Sequence, residues 1–315
     1  MALVLKDMLV ANITPFTETL EIDEDNLRAL IRYLMTVEGL GGIVCNAHAG
    51  EGATMTREER IRCIKIIREE TKGRVPLVSG VSSASTREAI EIALDAKENG
   101  CDAIMPCPPT IYAWFAQRNP EFAIEYHKAL DKGADMPIVI FQYAQTLPDG
   151  YSSDTLATLC REIKNVVAIK HTQFSSGLFR YVEDTAAAKN IKSSISNLVA
   201  TGALLFYAGV MGGLDGSLTG FGNIAPVEIA SMLKAIKAGD VAGARKIHEK
   251  IYPVARLVYS EPFVYLHTRY KEAAAMAGYI RGPWVRPPQL PMNPAERDRL
   301  REAMDRQGFL HAYRF

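Results

Sequence analysis

The sequence has no excess of charge of either sign, with Lys+Arg and Asp+Glu at 36 each. That balance removes the electrostatic argument for nucleic acid or an anionic membrane surface as a partner. It has no CxxC pair, and its five cysteines (Cys45, Cys63, Cys101, Cys107 and Cys160) are odd in number. They read as reduced thiols of a cytoplasmic protein, neither a disulfide framework nor a zinc site. Long hydrophobic runs are missing too. The N-terminal stretch 1–10 is apolar but interrupted by Lys6 and Asp7 and followed at once by Asn12 and Pro15. It is too short and too charged for a signal peptide or a membrane span. There is no P-loop and no GxGxxG after a strand, so no nucleotide is implied. No spacing of His, Asp, Glu or Cys suggests a metal site. Linkers, low-complexity segments and repeats beyond a strand–helix unit are absent as well. What remains is an ordinary globular composition, 48% hydrophobic and 23% charged over 315 residues, with ample material for a core.

Along the chain, short apolar runs alternate with amphipathic stretches. Strands are expected at 8–13, 41–46, 75–80, 101–106, 137–142, 166–170, 191–196 and 216–220. Between them lie helices with recognisable starts. Asp23 caps an apolar face of Leu27, Leu30, Ile31 and Leu34, while Thr56 with Glu59 and Ser85 with Glu88 form capping-box patterns. Further helices are expected near 120–131, 154–163, 177–188 and 198–207, and a last one is capped at Asn293 after the Gly282–Pro288 punctuation. Eight strand–helix units predict an α/β fold, a (β/α)8 TIM barrel, over residues 1–225. Residues 226–315 are expected to supply the final barrel helix and C-terminal helices of the same single domain.

The segment Val166-Val-Ala-Ile-Lys-His171 concentrates the chemistry. It is a buried-strand pattern that ends in a lysine, and a lysine inside such a strand forfeits the hydration of its ammonium. Such a residue either curls out into solvent or points inward and meets ligand. In a barrel, the C-terminal strand ends build the active site, which favours the second reading. A desolvated Lys170 amine is a nucleophile toward a carbonyl, and the resulting imine is an electron sink. Its companions are the other strand ends: Asn12, Asn46 to Glu51, Ser79, Gly80, Pro106, Phe141 to Tyr143, Ser196, Asn197 and Thr219. His171, by alternation, points away from the barrel axis. The polar run His267-Thr-Arg-Tyr-Lys271 reads as a solvated face or a subunit contact.

Several motifs resemble the dihydrodipicolinate synthase / N-acetylneuraminate lyase superfamily of pyruvate-dependent class I aldolases, over essentially the whole chain. Asn12-Ile-Thr-Pro-Phe16 resembles its opening strand, and Ala47-His-Ala-Gly-Glu51 with Thr54-Met-Thr56 its Gly-Thr-Thr-Gly-Glu loop. Val167-Ala-Ile-Lys170 resembles the Schiff-base strand, and Gly216-Ser-Leu-Thr-Gly-Phe-Gly-Asn-Ile-Ala-Pro226 the eighth strand and its turn. The resemblance implies that Lys170 forms the imine, that no cofactor or metal is needed, and that the protein is a homo-oligomer, commonly a tetramer.

The departures are equally specific. The two threonines that hold the keto acid's carboxylate in the family are here His48 and Ala49. Backbone amides of Ala49 and Gly50 can still bind a carboxylate, and His48 can add a hydrogen bond or, if protonated, a charge, or simply fill the loop. The family's proton-shuttling tyrosine is Phe141. Tyr143 shares its face two residues on and either supplies the phenol or packs while a water does the work. The arginine after strand five and the tyrosine pair after strand four have no counterpart, which argues against the synthase itself. Tyr112, Trp114 and Phe115 are candidate contacts to a bulkier or more apolar second substrate. The expected site is therefore Lys170 and Tyr143 for chemistry, with His48, Ala49, Gly50, Phe141, Ser196 and Thr219 around the substrate. The expected activity is that of a Schiff-base lyase on a 2-keto acid, by retro-aldol cleavage or by dehydration of a deoxy keto sugar acid. The alternative is a barrel that binds keto or sugar acids without turnover.

Overall fold

Short runs rich in Val, Ile and Leu form strands here because both of their faces are covered, as a parallel sheet requires. A computed structural model describes residues 3–109, 119–143, 150–172 and 178–315. In it β1 (Asp7–Ala11), β2 (Leu40–Cys45), β3 (Leu77–Val81), β4 (Ala103–Pro106), β5 (Ile138–Gln142), β6 (Val166–His171), β7 (Ser196–Val199) and β8 (Gly216–Thr219) form a closed barrel in chain order. All neighbours are parallel, and β8 returns to β1 in the register Val10↔Thr219. The crossovers are α1 (Glu24–Leu34), α2 (Arg57–Thr71), α3 (Thr86–Glu98), α4 (Pro120–Ala134), α5 (Ser153–Glu162), α6 (Leu178–Ile191) and α7 (Leu205–Met211). After β8 come α8 (Pro226–Lys237), α9 (Val241–Val258), α10 (Leu266–Met276) and α11 (Pro294–Arg306). The (β/α)8 barrel with a C-terminal helical region is thus what the alternation predicted. Buried apolar residues form one continuous cluster from Leu5 to Phe309, so α8–α11 share the barrel's core. No helix among the described residues is long and apolar enough to cross a membrane.

Local signals account for most element starts. Asp23 accepts the Asn26 N–H at 3.1 Å. Thr56 and Glu59 complete a reciprocal capping box, at 3.2 Å and 2.9 Å. Ser85 caps α3, but Glu88 does not reach back to its N–H. Instead the Glu88 carboxylate accepts from Ser83 Oγ at 2.7 Å, and Ser83 Oγ accepts the Ser85 N–H. The seventh unit differs from expectation. α6 continues through Ile191, and β7 begins at Ser196, where a strand end was expected. The apolar-run criterion failed there because this strand opens on two buried polar residues. The Asn197 N–H donates to Asp215 at 2.8 Å, and its side-chain oxygen lies 3.0 Å from His171 Nε2.

The mouth of the barrel is closed between first and last strands by Asn223. Its Oδ1 accepts the Ile13 N–H at 3.1 Å, and its Nδ2 donates to the carbonyls of Ala11 and Gly220, both at 2.8 Å. All of these groups are buried, so removing the side chain strands three backbone partners. Asn223→Ala is expected to lower stability by about 2–4 kcal/mol, read from the urea midpoint at unchanged slope.

Candidate active site

Alternation along β6 sends Val166, Ala168 and Lys170 to one face and Ile169 and His171 to the other. His171 accordingly packs outward, edge-on to Tyr181 of α6 at 5.1 Å and beside Asn197. Lys170 sits in register with Phe141 on β5 and Leu198 on β7, and only 6% of it is exposed. Its Nζ lies 3.9 Å from the centroid of the Phe141 ring. Burial holds its pKa down at about 8, with the nearby Cys107 acting weakly the other way. The lysine therefore does not curl into solvent. At pH 7 an amine of that pKa is about one-tenth free base, against about half a thousandth for an exposed lysine.

The amine opens into a cavity of about 670 Å³ at the C-terminal strand ends, whose walls include Ala47, His48, Ala49, Phe141, Tyr143 and Lys170. The 46–52 loop that carries His48 is tightly wound. Asn46 and Glu51 adopt left-handed φ of 53° and 55°, and a Cβ on Gly52 would lie 1.9 Å from the Asn46 carbonyl oxygen. This winding aims His48 across the mouth. Its Nε2 lies 2.8 Å from the Tyr143 hydroxyl. Tyr143 in turn stacks on Phe141, with centroids 4.1 Å apart and planes 24° apart. Lys170, Phe141, Tyr143 and His48 thus form one contact chain. Burial first, then the charges of His267 and Lys170, hold His48 at a pKa of about 3, so it faces the cavity as a neutral imidazole. Of the two contributions considered for it from sequence, a hydrogen bond and a charge, the site shows the hydrogen bond.

Other expected residues fall differently. Ala49 lines the cavity, while Gly50 packs behind it, its carbonyl accepting from Thr14 Oγ1 at 2.9 Å. Among the described residues, the backbone amides of Ala49 and Gly50 donate to no protein acceptor. Thr219 stands one side chain back. Its Oγ1 lies 3.0 Å from the hydroxyl of Tyr259, which reaches the cavity in its place. Ser196 is a correction, because at the head of β7 it pairs with Ala168, two residues below Lys170. The cavity wall on that side comes from Ala200 and Thr201, beyond the true strand end. Tyr112, Trp114 and Phe115 lie outside the described residues, as does most of the segment after strand five, 144–149.

The C-terminal segment supplies the residues that sequence reasoning missed. The run 267–271 is no solvated face: Thr268, Arg269 and Lys271 are each 1% exposed. Lys271 forms a buried ion pair with Glu51, donates to the Trp284 carbonyl at 2.7 Å and lies 3.7 Å over the Phe16 ring. Burial still lowers its pKa to about 8, against the Glu51 carboxylate that favours the ammonium. Glu51 also accepts from the Arg286 N–H at 3.1 Å and from Gln289 Nε2 at 2.7 Å. His267 packs edge-on to His48 at 5.8 Å and is held by burial at a pKa of about 4, against a hydrogen bond to Gln289 that favours the charged ring. Tyr259, Tyr270 and Thr219 form a second hydroxyl cluster, with the two phenols 3.0 Å apart. The only sequence signal for any of this was the density of polar groups at 267–271. Among the described residues no cluster of His, Cys, Asp or Glu is placed to hold a metal ion.

A parallel barrel with a desolvated lysine ending its sixth strand defines a class of imine-forming enzymes, and the comparisons agree. Residues 4–307 match the Dihydrodipicolinate synthetase family, to which the chain belongs. The chain is 30% identical to the 4-hydroxy-tetrahydrodipicolinate synthase of Syntrophobacter fumaroxidans over 302 residues, covering 96% of this chain and 98% of that one. It is 28% identical to the same enzyme of Nitratidesulfovibrio vulgaris (strain DSM 19637 / Miyazaki F) over 305 residues, covering 95% and 97%. The crystal structure of dihydrodipicolinate synthase from Aquifex aeolicus superposes with a TM-score of 0.83 at 25% identity, over 97% of this chain and 99% of that one. In fold it also matches YagE from E. coli K12, in complex with pyruvate, with a TM-score of 0.86 at 22% identity over 98% and 100%. Members of the family are class I lyases of the aldolase type that form a Schiff base with pyruvate, and this chain is an enzyme of that class.

The Glu51–Lys271 pair makes a stability test. Lys271→Met leaves a buried carboxylate without its cation and is expected to cost about 3–5 kcal/mol in urea unfolding. Adding Glu51→Gln to that variant should recover part of the loss, so that the double change costs less than the sum of the two singles.

Proposed function

We propose that the chain is a Schiff-base lyase acting on a 2-keto acid. It either cleaves the acid by retro-aldol reaction to pyruvate and an aldehyde or dehydrates a deoxy keto sugar acid. The observation that carries this reading is the Lys170 amine, desolvated to a pKa of about 8 in the wall of a cavity of about 670 Å³. In this reading the amine attacks the C2 carbonyl, and the free amide of Ala49, which lines the cavity, receives the carboxylate. Tyr143 supplies the phenol that Phe141 lacks. The imine then accepts the electron pair released at C3, a role that calls for no metal or cofactor.

The charge distribution supports a substrate other than that of the synthase. Among the described residues that line the cavity, Lys170 and Glu51 alone carry charge, and Glu51 is engaged by Lys271, Arg286 and Gln289. A second substrate carboxylate therefore meets no free cation among those residues. The curated relatives named as synthases stand at only 28–30% identity, which leaves room for a different second substrate. The homo-tetramer implied by the family resemblance belongs to the same proposal, and sedimentation velocity is the measurement that checks it.

Borohydride trapping tests the imine directly. Incubation with pyruvate and borohydride should add a single reduced adduct to the intact mass, mapped to Lys170 and absent in Lys170→Ala. An unmodified mass with pyruvate and with longer 2-keto acids would sink the mechanism. The sign of the pH dependence follows from the depressed amine. Trapping should speed up as pH rises from 6 and level off above about 8, whereas an exposed lysine would keep gaining to about 10.

A further inference from the structure

We infer that His48 is the proton-holding partner of Tyr143, so that a phenol–imidazole pair takes over the proton relay at this site. The inference rests on the imine reading above and deepens it. The geometry is direct: Nε2 lies 2.8 Å from the Tyr143 hydroxyl, while Nδ1 is 3.5 Å from it, so Nε2 is the atom in line. His48 is fixed in that pose from two further sides. Its ring meets Phe141 at 5.3 Å and 62° and His267 at 5.8 Å and 81°. The loop that carries it is pinned by Glu51 to Lys271, Arg286 and Gln289. A histidine that merely filled the loop would not require its close side-chain contact among the described residues to be the phenol beside the imine lysine.

The step balances without an outside acid or base. In retro-aldol cleavage, Tyr143 takes the proton of the substrate's C4 hydroxyl as its own proton passes to His48 Nε2, with the imidazole's other proton on Nδ1. The O–H bonding pair left on that oxygen becomes the π bond of the aldehyde carbonyl as the C3–C4 bond breaks. Its electrons form the C2=C3 enamine, and the iminium nitrogen becomes neutral. The proton held on His48 then returns through Tyr143 to C3, restoring the iminium of pyruvate. Among the described residues, the titratable groups facing His48 are Tyr143, Lys170 and His267, and none is a carboxylate. The bound carboxylate of the keto acid supplies the anion that lets the imidazolium form for the length of one turnover.

Because the C3 protonation is reversible, pyruvate alone reports on it: its methyl protons should exchange with D2O through the enamine. The experiment compares methyl exchange by proton NMR with borohydride adduct formation in wild type, His48→Gln, Tyr143→Phe and the double variant. The Gln amide nitrogen can stand near the Nε2 position and hydrogen-bond the phenol, but it cannot hold the proton. A role limited to packing or hydrogen bonding would therefore survive that change. The expected result is an intact Lys170 adduct in all four proteins, with exchange slowed about a hundredfold in each single variant. The double variant should be no slower than the singles, since the two groups act as one unit. Exchange at the wild-type rate in His48→Gln that still forms the adduct would overturn the relay and leave the imine standing. Absence of the adduct from the wild-type protein would instead overturn the imine reading, and the relay with it.

Discussion

The candidate site depends on one buried carboxylate. Glu51 stands in a left-handed conformation at the end of the loop after β2, and it is held by an ammonium, a backbone amide and a side-chain amide that all come from residues 271–289. Those contacts fix the loop's winding, and the winding sets where His48 meets Tyr143. A buried ion pair is a poor source of net stability, because desolvation of both charges offsets most of the attraction. What it provides here is position: a charge that is costly to leave unpaired admits very few arrangements of the chain around it.

The same apolar surroundings set the protonation states. Lys170 near 8, His48 near 3 and His267 near 4 are all displaced toward their neutral forms, with burial as the largest cause in each case. At neutral pH the cavity therefore holds a partly free amine and two uncharged imidazoles. This combination suits a reaction in which positive charge must appear on the substrate's nitrogen, because two uncharged imidazoles add no repulsion to it.

Much of the fold could be read from periodicity because it is local. Strand runs and caps such as Asp23 and Thr56 are decided within a few residues, and so was the placement of Lys170 at a strand end. The seventh strand was misplaced because Ser196 and Asn197 are buried and polar, and the partners of Asn197, Asp215 and His171, lie about 20 residues away or more. The run 267–271 was misread for the same reason at longer range. Lys271 is paired with Glu51, and Arg269 donates to Glu296 at 2.6 Å, so charges that look solvated in sequence are internal. Thr219 and Gly50 were placed at the right strand ends but one layer too close, since nothing in the sequence shows that Tyr259 stands in front of Thr219.

The two walls of the cavity come from distant parts of the chain. The lysine, phenol and His48 loop belong to the first 170 residues, while Tyr259, Phe263, His267 and Gln289 close the opposite side. The C-terminal helices are thus part of the reaction vessel as well as of the scaffold. A lineage of such proteins can reshape what is admitted by rewriting residues 259–289, with the imine-forming strand left untouched. Chimeras joined after β8 would inherit their chemistry from one parent and their selectivity from the other.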